Sequence, residues 1–440
     1  MSRIFRFTRM SLFIALGIFV AAIPHIAYAA SSPKGGILYD FKYLRDGYAP
    51  QAPLVADAQG NLYGVTHQGG TGTGCGFGCG TVFELVAPSS PSGTWEKTTL
   101  HVFTNGGDGG FPYGGLAIDE AGNLYGTTST GGDLNNPNCV NGSTRTGCGI
   151  VYELSPPVGG GAWTETVLHI FEWGDTDGGE PAAGVVFDKS GNLYGTTERG
   201  NMSGNYGMVF ELSPSAGGVW TETVLYTFMC ANDGGGPEGP LQFDAAGNLY
   251  GTATGCGANF GGTVFELNPP IGGAGWSFNT IFAFDISNGA SPESSLIFDA
   301  SGDIFGTTFE GGSKNRGVAF ELIPPQPGGE WTELILHNFL GGSDAFPSGF
   351  VSDASGNLYG AAGGASENTC GEIYELSNSA NGWDQKILFS FSKMRIAQGC
   401  IPAASLVYGK WHALYGTTEQ GGSTKVCGLG CGTVFGFLPE

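Results

Sequence analysis

The chain has 440 residues, of which 80 are Gly and only 13% are charged, and its formal net charge is −22. Average chains carry about 7% Gly and about 25% charged residues. The Gly residues follow no three-residue period, which excludes collagen; 41% apolar content excludes disorder; and an acidic chain repels nucleic-acid phosphates.

Arg3, Arg6 and Arg9 precede an apolar run from Leu12 to Ile23, and Ala27-Tyr28-Ala29 follows. Basic, apolar and small-residue segments in that order predict a secretory signal over 1–29, cleaved near Ala29. The run is too short to span a bilayer and is broken by Pro24 and His25. No Cys for lipid attachment follows, and no later stretch has spanning length. Cleavage would remove three Arg and no acid, giving a net charge of −25. The expectation is a secreted protein, extracellular or periplasmic, with no membrane span.

Residues 30–440 read as one domain. Gly-Asn-Leu-Tyr-Gly starts at Gly60, Gly122, Gly191, Gly247 and Gly356; Gly302-Asp303-Ile304-Phe305-Gly306 varies it and Ala413-Leu414-Tyr415-Gly416 is an eroded seventh copy. Each copy predicts four short strands: an apolar one ending in Asp, as in Val186-Phe187-Asp188; Leu-Tyr-Gly-Thr-Thr; one like Gly262-Thr263-Val264-Phe265-Glu266-Leu267; and one running from a Trp to a Phe, as in Trp220 to Phe228. Apolar and aromatic strands between Gly, Pro, Asn and Asp turns predict an antiparallel meander. Seven such units predict an all-β, seven-bladed β-propeller of four-stranded antiparallel blades. Approximate blade repeats are 42–103, 104–171, 172–228, 229–284, 285–339, 340–391 and 392–440. The last copy stops after its third strand, whereas Ile37-Leu38-Tyr39-Asp40-Phe41 matches a fourth strand and precedes the first copy. The N-terminal strand, within 36–41, is therefore expected to complete the last blade and close the ring.

Both strand faces are apolar, as burial between neighbouring blades requires. Gly126 and its equivalents are expected to let blades approach closely. The recurring Asp57, Asp119, Asp188, Asp244, Asp299 and Asp353 read as turn caps rather than metal ligands. The recurring Glu of the third strand, such as Glu84 and Glu266, is likewise structural.

In a meander, the loops after strands two and four leave on one end, and all ten Cys fall in or beside them. An even Cys count in an exported chain predicts disulfides. Loop proximity suggests Cys75–Cys79, Cys139–Cys148, Cys230–Cys256, Cys370–Cys400 and Cys427–Cys431, the fourth joining blades six and seven. The alternative is Zn²⁺ held by Cys75, Cys79, Cys427 and Cys431 where ring closure makes their blades neighbours. The loops between strands two and three are longest in copies one, two and seven, which marks this end as the binding surface. Ligand-face candidates are His67, Asp108, Asp233 and Glu238. Asp175, Asp177 and Glu180 form a weak Ca²⁺ candidate lacking a downstream bidentate Glu. No other cofactor or metal is expected.

His101, His169 and His337 share one repeated position of the outer strand, a structural slot, and His412 lies in the eroded turn. The sequence has no nucleophile elbow, zinc-protease helix or phosphate loop. The repeat resembles the GloVer tandem-repeat family (choice-of-anchor) of exported bacterial proteins, on Gly-Asn-Leu-Tyr-Gly-Thr-Thr followed by Gly-Thr-Val-Phe-Glu-Leu. The resemblance covers essentially the whole mature chain and implies no biochemical activity. Members carry variable C-terminal surface anchors, whereas this sequence ends at Pro439-Glu440. These features predict a monomeric, non-catalytic scaffold that binds an extracellular glycan, protein or surface component. The alternative is a secreted polysaccharide-active or lactone-hydrolysing enzyme that uses channel-mouth carboxylates such as Glu180, Asp233 and Glu238.

Overall fold

The structure, a computed structural model, describes residues 36–440 except 44, 73, 142–143, 175, 201–205, 273–274, 327–328, 365–368, 381, 393–396, 424–426, 428 and 440. The expected signal segment 1–29 and Asp175 lie outside the described residues. Among the described residues, seven four-stranded antiparallel sheets make up the ring, and Val140–Asn141 pairs with Thr144–Arg145 in a separate two-stranded sheet. Blade one contains Val55–Ala56, Leu62–Thr66, Thr81–Val86 and Glu96–Val102, and the later copies repeat this order. No helix among the described residues is long and apolar enough to cross a membrane.

The last blade is completed as expected. Gly36–Asp40 pairs antiparallel with Thr433–Phe437, aligning Ile37 with Phe435 and Asp40 with Thr433. Aromatic contacts then run round the whole ring. The Phe after each fourth strand meets the third-strand aromatic of the next blade, from Phe103–Tyr152 and Phe171–Phe210 through Phe228–Phe265, Phe284–Phe320 and Phe339–Tyr374. The two contacts flanking the closure, Phe391–Phe435 and Phe41–Phe83, have centroid distances of 5.4 and 5.2 Å, like the other five. Blade seven therefore meets blade one just as the other blades meet each other. Edge-to-face ring pairs at such distances add to the burial of the rings themselves.

The turn between strands one and two explains the recurring Asp. Asp57 Oδ1 accepts from Gln59 N at 2.9 Å and from Asn61 N at 2.8 Å, and Oδ2 accepts from Asn61 Nδ2 at 2.8 Å. Gly60 has φ 88°, a left-handed conformation that Gly adopts without steric cost. The strand-three Glu accepts from the Tyr hydroxyl, as Glu266 does from Tyr250 at 2.7 Å. In blade seven Gly409 and Gly436 replace both acids, and Tyr415 donates instead to the Lys410 carbonyl at 2.9 Å.

The Gly after each Tyr has a different role from the one expected. A Cβ on Gly195 would lie 2.5 Å from Phe210 Cζ of the same blade. Strand two thus lacks a side chain there because strand three lays its ring across that position, not because neighbouring blades approach closely.

Candidate functional site at the channel mouth

The loops after strands two and four build one end of the propeller. A Pro enters each inner strand (Pro50, Pro112, Pro181, Pro237, Pro292, Pro347 and Pro402), and the residue before each Pro has positive φ: Ala49, Phe111, Glu180, Gly236, Ser291, Phe346 and Ile401, between 52° and 65°. For the six that are not Gly this backbone is costly and persists only where surrounding bonds enforce it. Two do so in every blade. The N–H donates to the preceding blade, as from Phe111 to the Cys79 carbonyl at 2.7 Å, and the carbonyl accepts from the residue just after strand two, as from Phe309 to Ser291 at 2.9 Å.

This clamp fixes two circles of side chains round the axis. One follows the Pro: Gln51, Tyr113, Ala182, Glu238, Glu293, Ser348 and Ala403. The other comes directly after strand two: His67, Ser129, Glu198, Thr254, Phe309, Gly363 and Glu419. The first circle, with Phe309, Gly363 and Glu419 of the second, lines a cavity of about 370 Å³ that Phe346 also borders. Deeper in, the inner strands crowd together. A Cβ on Gly114 would lie 2.2 Å from Gly184 N, and Ser295 Oγ of blade five meets Ser405 Oγ of blade seven at 3.3 Å.

The wall is chemically lopsided. Blades five and six supply Phe309 and Phe346, stacked 4.6 Å apart, with the Arg316 guanidinium 5.3 Å from the Phe346 ring centre. Blades three to five supply most of the acids, and blade seven supplies Glu419. Glu293 reaches solvent in the cavity, but enclosure by the wall and the charges of Glu238 and Glu310 push its carboxyl up to about 7. Enclosure and then the charge of Glu198 also raise Glu238, while Thr254 and Arg199 oppose the shift. Glu419 is raised by enclosure. Across the opening, His67 lies against Phe111 and edge-on to Tyr113, with centroids 5.3 and 5.6 Å away. Burial lowers its pKa, favouring the neutral ring.

Of the residues expected on the ligand face, His67 and Glu238 stand at this mouth. Glu180 is on its rim, paired with Arg199 Nε at 3.4 Å. Asp108 and Asp233 are elsewhere, their carboxylates occupied by their own loops. Asp108 accepts from Thr104 N and Gly106 N, and Asp233 from Met229 N, Ala231 N and the Tyr226 hydroxyl. Asp177 is directed at His169, 2.7 Å away, so it shares no site with Glu180. Sequence reasoning missed Tyr113, Glu293, Phe309, Phe346 and Glu419. Their signal was available: the positions flanking the recurring Pro and directly after strand two vary from copy to copy between fixed neighbours.

The five cysteine pairs are the expected ones, with Cα–Cα distances from 4.4 to 5.3 Å. Cys230–Cys256 ties the loop entering blade four to that blade's own strand-two loop, whereas Cys370–Cys400 joins blade six to blade seven. Cys75–Cys79 and Cys427–Cys431 each close within one loop, so the four thiolates a Zn²⁺ site would need are consumed.

Residues 138–335, which span copies two to five, match the Gloeobacter/Verrucomicrobia repeat family. No curated protein matches the chain in sequence. Among solved structures, a candidate 6-phosphogluconolactonase from Bacteroides uniformis is 12% identical with a TM-score of 0.51, covering 81% of this chain and 89% of that one. A gluconolactonase from Xanthomonas campestris is 15% identical with a TM-score of 0.36, covering 66% and 79%. The NanB sialidase of Streptococcus pneumoniae is 11% identical with a TM-score of 0.42, covering 92% and 71%. The first likeness is one of fold.

Proposed function

We propose that the chain is an exported, non-catalytic propeller that binds a glycan at the channel mouth. The observation that carries this reading is the convergence of aromatic faces and carboxylates from different blades on one cavity. Sugars present apolar C–H faces and hydroxyl edges together. Tyr113, Phe309 and Phe346 supply ring faces for the former, while Glu238, Glu293, Glu419 and Gln51 supply acceptors for the latter. The scaffold suits an exterior role, since five disulfides persist only where thiols are oxidised.

A screen of immobilised glycans followed by calorimetric titration tests this. Saturable binding is expected, weakened about tenfold or more by Tyr113→Ala and by Glu293→Gln, the loss of one stacking face or one charged acceptor. Absence of binding, or binding indifferent to both changes, would contradict it.

One observation favours a second reading. Glu293, its carboxyl pushed up to about 7 mainly by enclosure, shares the cavity with Glu238 and can hold a proton there as a general acid would. Turnover of a polysaccharide or sugar lactone that Glu293→Gln abolishes would replace the binding role with a catalytic one.

A further inference from the structure

Near the rim, far from the channel, three side chains meet where one blade's fourth strand faces the next. One is two residues before the strand-four Phe, one is an acid from the following loop, and one is two residues after the next blade's Trp. At the junction of blades seven and one these are Tyr39, Asp46 and Lys97. Both Lys97 Nζ and the Tyr39 hydroxyl donate to Asp46 Oδ1 at 2.8 Å. At the junction of blades five and six, Gln385 Nε2 donates to Asp344 Oδ1 at 2.9 Å, beside His337. In each case the third residue brings hydrogen-bond donors to the acid.

Between blades two and three that position holds Glu222, a second carboxylate. His169 Nε2 is 2.7 Å from Asp177 Oδ1 and 3.8 Å from Glu222 Oε2. One ligand atom from each residue lies within 4.8 Å of the others. Glu222 Oε1 is buried and without a hydrogen-bond partner. The repeat therefore places an ammonium in this slot at one junction, and at another leaves two carboxylates and an imidazole round it.

We propose that His169, Asp177 and Glu222 bind a divalent transition metal of the zinc class, clasping blade two to blade three. One imidazole nitrogen and two carboxylate oxygens form a three-ligand set for Zn²⁺ with one position open. The imidazole and the low oxygen count disfavour Ca²⁺, which takes six to eight oxygens. Metal–ligand bonds of about 2.0–2.2 Å set tetrahedral ligand atoms about 3.3–3.6 Å apart. From 2.7 Å the Asp177 contact must open by about 0.6–0.9 Å, and from 3.8 Å the Glu222 contact must close by about 0.2–0.5 Å. Side-chain exposures of 18, 16 and 12% leave the slot reachable from solvent. His101, Asp108 and Glu165 form a looser counterpart between blades one and two, with His101 Nε2 at 3.8 and 4.0 Å from the two acids.

Calorimetric titration of ZnCl₂ into the full-length, tag-free, chelator-stripped protein tests this, with thermal unfolding alongside. One tight event and a rise in Tm are expected. Glu222→Lys copies Lys97 and Glu222→Gln copies Gln385, so both have folded precedents in this ring. The Lys variant should weaken the tight event about 100-fold or more, because loss of a ligand exceeds the 10–100-fold cost of losing a ligand's support, and should abolish the zinc-dependent Tm rise. No saturable Zn²⁺ binding by the parent, a tight event retained in both variants, or Ca²⁺ bound more tightly than Zn²⁺ would overturn the proposal.

Discussion

At the scale of single residues, the same chemical group has different tasks according to its offset in the repeat. Asp57 completes a turn, Asp108 caps a loop and Asp46 receives Lys97. The residue two after the outer Trp shows what happens when the local partner changes. Glu333 holds this position between blades four and five, where Phe282 stands at the place that His101, His169 and His337 take in three other copies. Burial, augmented by Asp285 and opposed by Asn288, pushes its carboxyl up to about 7. Its folded pKa is thus above its unfolded value, so its contribution to stability is complete below about pH 4.5 and is lost as pH rises through about 7. Glu333→Gln should flatten that limb, raising Tm at pH 8 by about 1–2 °C relative to the parent while leaving pH 4 almost unchanged. Unfolding scans at the two pH values check this. The acids of the turns were legible in the sequence because their partners lie within four residues. The mouth was only partly legible, because Tyr113, Glu293 and Phe346 become neighbours through ring geometry rather than through any local pattern.

At the scale of elements, the four-stranded blade was legible almost entirely, since alternation, turn residues and Trp-to-Phe spacing are local signals. The role of the strand-two Gly was not, because the ring it accommodates arrives from strand three. The disulfides were legible through loop proximity, and their spans predict unequal effects. Cys370–Cys400 closes 30 residues of separation and links two blades, whereas Cys75–Cys79 closes four within one loop. Chain-entropy arguments assign about 3–4 kcal/mol to the longer and about 2 kcal/mol to the shorter. Paired Cys→Ser replacement should therefore lower the denaturant midpoint more at Cys370 and Cys400 than at Cys75 and Cys79. Urea titrations of the two double variants, compared at equal slope, measure the difference.

At the scale of the whole molecule, the terminal strand Gly36–Asp40 converts six complete blades and a three-stranded remnant into a ring. The mouth depends on this, since Gln51 and Glu419 come from blades one and seven. The Thr417 hydroxyl of blade seven donates to the Ala52 carbonyl of blade one at 3.2 Å, directly across the closure. Trp95 of blade one also packs edge-on to Tyr415 at 5.5 Å. Without the closing strand, Thr433–Phe437 would be an exposed edge with unpaired backbone groups, and Phe83 would lose its partner Phe41. The most direct test compares thermal unfolding of the chain from residue 36 onward with one beginning at residue 42. Closure predicts that the shorter chain unfolds at least 10 °C lower or aggregates through its open edge; coincident unfolding curves would contradict it.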